Sequence, residues 1–254
     1  MNTVLKSLSL CSSILLSTSS LFAQETFDPL GEQAEAYLPR QVRVQVEYVE
    51  MSLEQMTALM EDPNLSKNDV LLRKRITELT KENKAEILET QMLVARSGEK
   101  SISESVQEFI YPTEYEPAEM PSTVKIENGA EEKAQNKELA TGPTPTAFET
   151  RNLGSTLEVE PTIGANNQYI DIRLAPELVY HVKNTVWAEW NSKYGEANIV
   201  MPIFYTLRVT TSVTVYNGQP CLLAALSPKD DKGVTDTSRK ILVFVKANVI
   251  FPGR

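Results

Sequence analysis

The sequence predicts an α+β fold that is mainly β, built from antiparallel sheets and hairpins with one or two helices near the N-terminus. The first observation is the alternation of apolar and polar residues over segments such as 42–50 and 207–215, the pattern of half-buried strands. The second is the helical spacing of apolar residues between 52 and 81. The third is a set of turn sequences, such as Asn217-Gly218, between the strand segments.

The first 23 residues have the features of a secretory signal peptide. A lysine near the start is followed by a short apolar core over 8–16, and Leu21-Phe22-Ala23 provides the cleavage site. Because a leucine rather than a small residue precedes Cys11, we expect export without a lipid anchor. Residues 24–40 are mostly polar and are expected to be a lead-in to the first strand.

The charge balance and the cysteine content argue against several classes of protein. Cleavage would remove one of the 25 basic residues and leave 24 against 34 acidic ones, a net charge of about −10. This charge disfavours nucleic acid and anionic lipid as partners. Cys221 would be the one cysteine left, so no internal disulfide could form, and its apolar surroundings predict a buried structural thiol. After the signal peptide, no apolar run reaches the length of a membrane-spanning helix.

The N-terminal half is predicted to combine strands and helices. Ser52 followed by Gln55 is a capping-box signal for a helix start, and Ser66 followed by Asp69 is read as a second start. The predicted elements are a strand over 42–50, helices beginning at Ser52 and Ser66, an ambiguous helix end or strand over 87–94, a turn over 97–100 and a strand over 101–111.

Two segments in the middle of the chain are predicted to be loops. Residues 111–117 (YPTEYEP) contain two prolines, which argue against a central strand. Glu114 and Glu116 could suggest a catalytic carboxylate pair, but the absence of a nearby basic partner favours a solvated loop. Residues 127–146 are acidic and poor in apolar side chains, so we expect a flexible loop there, inside one domain that spans 41–254.

The C-terminal half is predicted to be β throughout. A hairpin is expected over 148–174, with a turn at 164–167, and the segment 176–201 is expected to be less regular. A second hairpin is expected over 207–226, turning at Asn217-Gly218, and a last strand over 241–250. The apolar residues predicted to share a face in the first hairpin are Leu157, Val159, Pro161, Ile163, Ile170, Ile172 and Leu174.

The motifs of common enzymes are absent from the sequence. It contains no GxSxG, P-loop, CxxC or HExxH motif. His181 is the one histidine, which excludes sites that need two, and its neighbours Tyr180 and Val182 are more typical of a surface or packed histidine than of a general base. We therefore predict no enzyme activity and no catalytic, cofactor-binding or metal site.

Six blocks of the chain resemble, in the same order, segments of the secretin family, the multimeric outer-membrane channels of type II and type III secretion and type IV pili. Together they cover roughly residues 41–251. The segment YPTEYEP is also similar to the form found in secretin-like proteins of the Planctomycetes–Verrucomicrobia kind. The blocks are VRVQVEYVEM, ILETQMLVARSGEKSISE, FETRNLGSTLEVEPTIG, YIDIRLAPEL, PIFYTLRVTTSVTVYNGQPCLLAAL and ILVFVKANVI.

The resemblance implies a ring-forming protein whose strands build a double-walled barrel in the outer membrane. It implies partners as well: further copies of the chain, other proteins of the secretion system, and outer-membrane lipid. The residues that match the family pattern, and that we expect to be structural, are Gly154, Pro161, Pro202, Asn217, Gly218, Gln219 and Leu226.

The sequence also departs from the family pattern and keeps a second hypothesis open. Ala224-Ala225 replaces a paired glycine, and Ser227–Lys240 is short and charged where the family carries a stretch rich in proline and glycine that forms the gate. The alternative is therefore an exported, non-pore periplasmic protein with a structural or binding role in the same assembly. In a channel, Trp187, Trp190 and Tyr194 would lie at the membrane interface, whereas the favoured interpretation places them in an irregular β core.

Overall fold

A computed structural model describes residues 39–119, 124–125, 131–132, 140–192, 195–230 and 232–251. The predicted signal peptide (1–23), most of the predicted lead-in, most of the predicted loop over 127–146, and Tyr194 lie outside these residues.

The described residues fold into two helices and a larger number of strands, which confirms the predicted mainly β class. The helices are α1 (Leu53–Glu61) and α2 (Asp69–Lys81). The strands are β1 (Gln41–Ser52), β2 (Ala85–Arg96), β3 (Ser101–Glu116), β4 (Val124–Lys125), β5 (Glu131–Glu132), β6 (Thr144–Ile163), β7 (Tyr169–Ala188), β8 (Asn191–Ser192), β9 (Gly195–Glu196), β10 (Ile199–Arg208), β11 (Thr211–Tyr216), β12 (Pro220–Leu226) and β13 (Arg239–Ile250).

Each helix begins at a side chain that accepts hydrogen bonds from its first turn. Ser52 Oγ accepts from the Gln55 amide at 3.2 Å, as predicted for α1. The expected start of α2 at Ser66 was wrong, because Asn68 is the residue whose Oδ1 accepts from the amides of Val70 and Leu71, both at 3.1 Å. One amide oxygen thus satisfies two helix donors that would otherwise be unpaired.

The strands form two main antiparallel sheets. Sheet A has the order β12-β13-β1-β2, and sheet B has the order β10-β7-β6-β3, with β11 also paired to β7. Strands β10 and β11 follow one edge of β7 in the same register, from Arg208 opposite Glu177 to Thr211 opposite Leu174. The interruption between them lies beside Pro176, which has no N–H to donate to the ladder.

The two sheets and the helices make three layers with two apolar cores. Sheets A and B pack face to face, as in a β-sandwich, and the helices cover part of the other face of sheet A. The core between the sheets includes Val42, Val44, Val46, Tyr48, Leu157, Val159, Ile170, Ile172, Leu174, Leu178, Leu207, Val215, Ile241, Val243, Val245 and Ala247. The core beneath the helices includes Val49, Met51, Leu59, Leu72, Ile76, Leu79, Leu242 and Phe244. Neither helix in the described part of the chain is long and apolar enough to cross a membrane.

The predicted hairpin over 207–226 was wrong in one respect. Asn217-Gly218 is a turn, as expected, and Gly218 has a φ of +82°, which glycine adopts readily. However, β11 before the turn pairs with β7 in sheet B, and β12 after it pairs with β13 in sheet A. The turn therefore crosses between the sheets instead of joining two paired strands.

Two segments predicted to be irregular are parts of long strands. β3 continues through Pro112 to Glu116, and β7 continues past Pro176 to Ala188. β3 tolerates the proline because it is an edge strand, and its pairing with β6 shifts register on either side of Glu114. The predicted loop over 127–146 also ends early, because β6 begins at Thr144.

Candidate assembly surface

Sheet B divides into two ribbons at Gly154. The pairing of β6 with β7 ends where Gly154 lies opposite Val179. Beyond that point β6 remains paired with β3, and β7 remains paired with β10. We call residues 107–116 with 144–153 the first ribbon, and residues 180–188 with 199–205 the second ribbon.

The backbone at Gly154 explains why the sheet can divide there. Its φ of +122° lies in a region that residues with a Cβ rarely adopt. A Cβ at this position would also lie 2.2 Å from the Ser105 carbonyl oxygen and 3.1 Å from the Val106 Cα. The branch point therefore requires glycine for its conformation and for the close approach of β3.

An aromatic cluster holds the two ribbons against each other. Phe109 of the first ribbon stacks on His181 of the second, with ring centroids 5.0 Å apart and an interplanar angle of 17°. Phe204 contacts Phe109 edge to face at 5.6 Å and Tyr111 at 5.4 Å. His181 Nε2 lies 2.8 Å from Asn184 Oδ1. The predicted surface or packed histidine is thus half-buried in an aromatic contact.

Charged side chains join the first ribbon to β7 and β10 beside the branch point. Glu177 accepts a hydrogen bond from Arg208 Nε at 3.0 Å, and its other oxygen lies 3.8 Å from Arg151 Nη2. Arg151 also donates to Thr206 Oγ1 at 3.2 Å, so it links the first ribbon to β10. The Glu177 side chain is 18% exposed and lines a cleft of about 410 Å³. Two guanidinium groups therefore compensate the charge of one half-buried carboxylate.

Asn217 fastens the turn that crosses from sheet B to sheet A. Its Nδ2 donates to the Asn167 carbonyl at 3.0 Å, in the turn between β6 and β7. Its Oδ1 accepts from the Val249 amide of β13 at 3.0 Å. The Gly218 amide donates to the Ala247 carbonyl at 2.7 Å. One amide side chain thus bonds to a backbone group beside each of the two sheets.

Each main sheet ends on both sides in a strand with no strand partner on its outer edge in the described residues. Sheet A ends in β12 and β2, and sheet B ends in β3 and in the β10–β11 line. Within the described residues no further strand pairs with these edges. Several apolar side chains of the edge strands are exposed, including Met92 (61%), Val94 (42%) and Ile110 (63%). Free edges with apolar side chains are a surface that can pair with another chain.

The comparison with protein families decides the identity of this architecture. The family described as "Secretin: Bacterial type II and III secretion system protein" matches residues 78–241, which is more than half of the chain. The chain belongs to the secretin family. No curated protein sequence matches this secretin.

Solved structures similar to this secretin are themselves secretins. The InvG secretin domain of the Salmonella SPI-1 injectisome is 9% identical with a TM-score of 0.42, and the alignment covers 87% of this chain and 66% of that one. GspD of the type II secretion system of E. coli K12 is 12% identical with a TM-score of 0.37, covering 84% and 50%. Aeromonas hydrophila ExeD is 14% identical with a TM-score of 0.39, covering 84% and 49%. This secretin thus spans at most 66% of the length of these three proteins.

The remaining family-pattern residues lie at strand junctions and on an edge. Pro161 is buried in β6, and its carbonyl accepts from the Gly98 amide at 2.7 Å, in the turn that leads from β2 to β3. Pro202 lies in the second ribbon, opposite Asn184. The Gln219 amide donates to Tyr216 across the Asn217-Gly218 turn at 3.0 Å. Leu226 ends the edge strand β12, opposite Ile241.

Cys221 lies on the inner side of β12 and packs against the core between the sheets. It is half-buried, and burial, followed by the nearby Asp69 carboxylate, raises the pKa of its thiol to about 11. The thiol is therefore protonated at neutral pH, as a structural cysteine is expected to be.

The aromatic residues of the segment 176–201 do not share one environment. Trp187 is 78% exposed on β7, so the expectation that it fills a β core was wrong. Trp190 is half-buried next to Gly142, where a Cβ would lie 3.2 Å from its Cδ1 atom. Tyr194 lies outside the described residues.

The charged residues beside the branch point could not be identified from the sequence. Arg151, Glu177 and Arg208 come from three strands, and their spacing carries no local signal. In the part of the chain that the structure describes, no group of three or more His, Cys, Asp or Glu side chains is placed to hold a metal ion.

Proposed function

We propose that this secretin is an exported subunit of an oligomeric outer-membrane channel for protein secretion or pilus passage. The observation that carries the proposal is the set of sheet edges that pair with no further strand of the described residues, two on each main sheet. Lateral pairing with neighbouring copies would satisfy the unpaired N–H and C=O groups of these edges, and a closed ring of copies would leave none exposed. The partners are thus further copies of the chain and other secretion-system proteins, and we propose no catalytic role.

The exposed apolar residues of the second ribbon fit a position at a lipid surface. Trp187 is 78% exposed and Val186 is 49% exposed, near the end of β7. Tryptophan is enriched where a membrane meets water, because its ring is apolar and its N–H can still reach a polar partner. This supports outer-membrane lipid as a further contact of the assembled channel.

A second candidate function is a non-pore structural or binding role in the periplasm. The segment after β12 forms a compact turn instead of an extended hairpin, with the Asp236 amide donating to the Pro228 carbonyl at 2.9 Å. This turn is fixed to the second ribbon, since Tyr205 Oη donates to the Ser227 carbonyl at 2.7 Å and Lys229 Nζ lies 5.9 Å from the Tyr205 ring centroid. A segment held in this way would leave a ring without a gate, or would belong to a protein that forms no pore.

Reconstitution into planar lipid bilayers separates the two functions. The channel proposal expects stepwise ion conductance from the full chain after export and processing, with steps large enough for an unobstructed ring. A matched sample of the Trp187→Ala variant should insert less efficiently but keep the same step size. Oligomers that bind vesicles and give no conductance would contradict the channel and favour the non-pore role.

A further inference from the structure

The edge of β12 is not entirely free. The Leu222 amide donates a hydrogen bond to Asp69 Oδ2 at 2.9 Å. An amide carries one hydrogen, so this donor does not take part in the ladder with Phe244, its partner residue on β13. The Leu222 N–H is therefore directed at α2 and not at β13, so it is not available to an added strand while the carboxylate accepts from it.

The Asp69 carboxylate is held in place by the packing of α2. Asp69 is the first residue of α2, and Asn68 caps this helix end. Farther along the helix, Leu72 and Ile76 are almost completely buried against sheet A. Leu222 packs against the same core, so the helix and the edge strand are joined by apolar contact as well as by the hydrogen bond.

The covered half of β12 is also irregular. The pairing of β12 with β13 shifts between Leu222 and Ala224, which leaves Leu223 as an extra residue. Bulges and inward-pointing charged side chains are two devices by which edge strands resist pairing with another chain. The strand needs such devices, because its residues 221–226 carry no charge and would otherwise present an apolar edge.

We infer that Asp69 is an inhibitory contact that covers the β12 edge of the unassembled subunit and must leave Leu222 before a second copy of the chain can pair there. The inference rests on the proposed assembly through strand edges. An added strand would supply a carbonyl oxygen to the Leu222 N–H in place of the carboxylate, so one hydrogen bond is exchanged for another. α2 would then control when β12 becomes available, while the other edges stay open.

Variants at Asp69 test this contact in the full processed chain. Asp69→Ala removes the acceptor, and Asp69→Asn is the matched control, because the amide oxygen can accept the same hydrogen bond. We expect Asp69→Ala to assemble at about a tenfold lower protein concentration than the wild type, since no hydrogen bond to a charged group must be broken first. Asp69→Asn should stay within about twofold of the wild type, because its acceptor is retained. Light scattering over a concentration series gives both values.

A cross-linking experiment locates the pairing at β12. Thr90→Cys and Ala225→Cys, in a Cys221→Ser background, place exposed thiols on the two edge strands of sheet A. A short bismaleimide can then join position 225 of one copy to position 90 of another. In the Asp69→Ala chain, cross-linking should give more dimer than in the chain that keeps Asp69. Asp69→Ser, whose hydroxyl is too short to reach Leu222, replaces Asp69→Ala if circular dichroism shows that the alanine variant is unfolded.

The outcomes separate this inference from the proposed function. The wild type could assemble while removal of the acceptor leaves the concentration dependence unchanged or weakens assembly. In that case Asp69 is not an inhibitory contact, but the proposed assembly through strand edges is retained. If neither the wild type nor the variants assemble at any concentration, both are wrong.

Discussion

Gly154 is the residue on which the division of sheet B depends. We predict that Gly154→Ala lowers the free energy of unfolding by about 3 kcal/mol or more, because it combines an unfavourable φ with a collision against the β3 backbone. The matched control is Gly98→Ala, since Gly98 also has a positive φ but a Cβ there would meet nothing within 4 Å. The control should lose about 1–2 kcal/mol. Urea denaturation measures both, and equal losses would show that the close approach at Gly154 has no cost.

Asn217 should contribute more to the stability of the fold than an ordinary turn residue does, because its side chain bonds to both sheets. Asn217→Ala removes both side-chain hydrogen bonds and should lower the free energy of unfolding by about 1–2 kcal/mol. Asn217→Asp keeps the oxygen that accepts from Val249 and loses the donor to Asn167, so it should lose about half as much. Thermal unfolding of the two variants gives this order, and a larger loss in the aspartate variant would contradict it.

The Cys221 thiol gives a prediction that depends on pH. Because burial raises its pKa from 9.0 to about 11, the thiolate fraction at pH 8 should be about 100-fold lower in the folded chain than in the unfolded one. Labelling with iodoacetamide should therefore be slow and should accelerate about tenfold per pH unit until pH 11. The protonated thiol stabilises the fold fully below pH 9, and this contribution is lost as the pH rises through 11. Equal labelling rates in the folded and urea-unfolded chain at pH 8 would disprove the burial of the thiol.

Two examples at the scale of residues show which features of the structure the local sequence does not determine. Asn217-Gly218 predicts a turn because of its backbone preferences, but nothing near it tells which sheet the next strand joins. The meeting of Arg151, Glu177 and Arg208 depends on the pairing of three strands, so no spacing in the sequence could have revealed it.

The two ribbons are the elements that distinguish sheet B from a plain sandwich layer. Phe204→Ala removes a ring that contacts Phe109, Tyr111 and His181, and we predict that it loosens the ribbons without unfolding the core between the sheets. Hydrogen exchange should accelerate in residues 144–152 and stay unchanged in 157–163. The matched control is Phe148→Ala, on the first ribbon, because Phe148 is 58% exposed. Uniform acceleration across both segments would contradict ribbons that open independently of the core.

At the scale of elements, alternation in the sequence predicted β1, the adjoining parts of β6 and β7, and β13, because each has at least one face in an apolar core. Alternation did not predict the strand segments that extend beyond that core. The second half of β7 and the end of β3 lack a strict apolar period, because the ribbons are only partly covered. Pro112 is compatible with a strand because β3 lies at the edge of sheet B, a tertiary position that the sequence alone does not show.

At the scale of the whole molecule, the class of fold could be predicted from the pattern of strands, helices and turns, and the family from the six blocks that resemble it. The layering could not, because it depends on which of two sheets each strand joins. The resulting subunit has a helical layer, two packed sheets and free edges on both sheets, and these edges are the basis of the proposed assembly.

The most direct test of that assembly is the mass of processed chain 24–254 extracted in mild detergent, determined by gel filtration with light scattering and followed by an SDS gel without boiling. The account predicts a large ring that contains many copies and resists SDS, because edge pairing would join neighbouring subunits through continuous backbone hydrogen bonds. A monomer or dimer that stays in solution without detergent would contradict it. The same family fold would then serve a binding role without forming a channel.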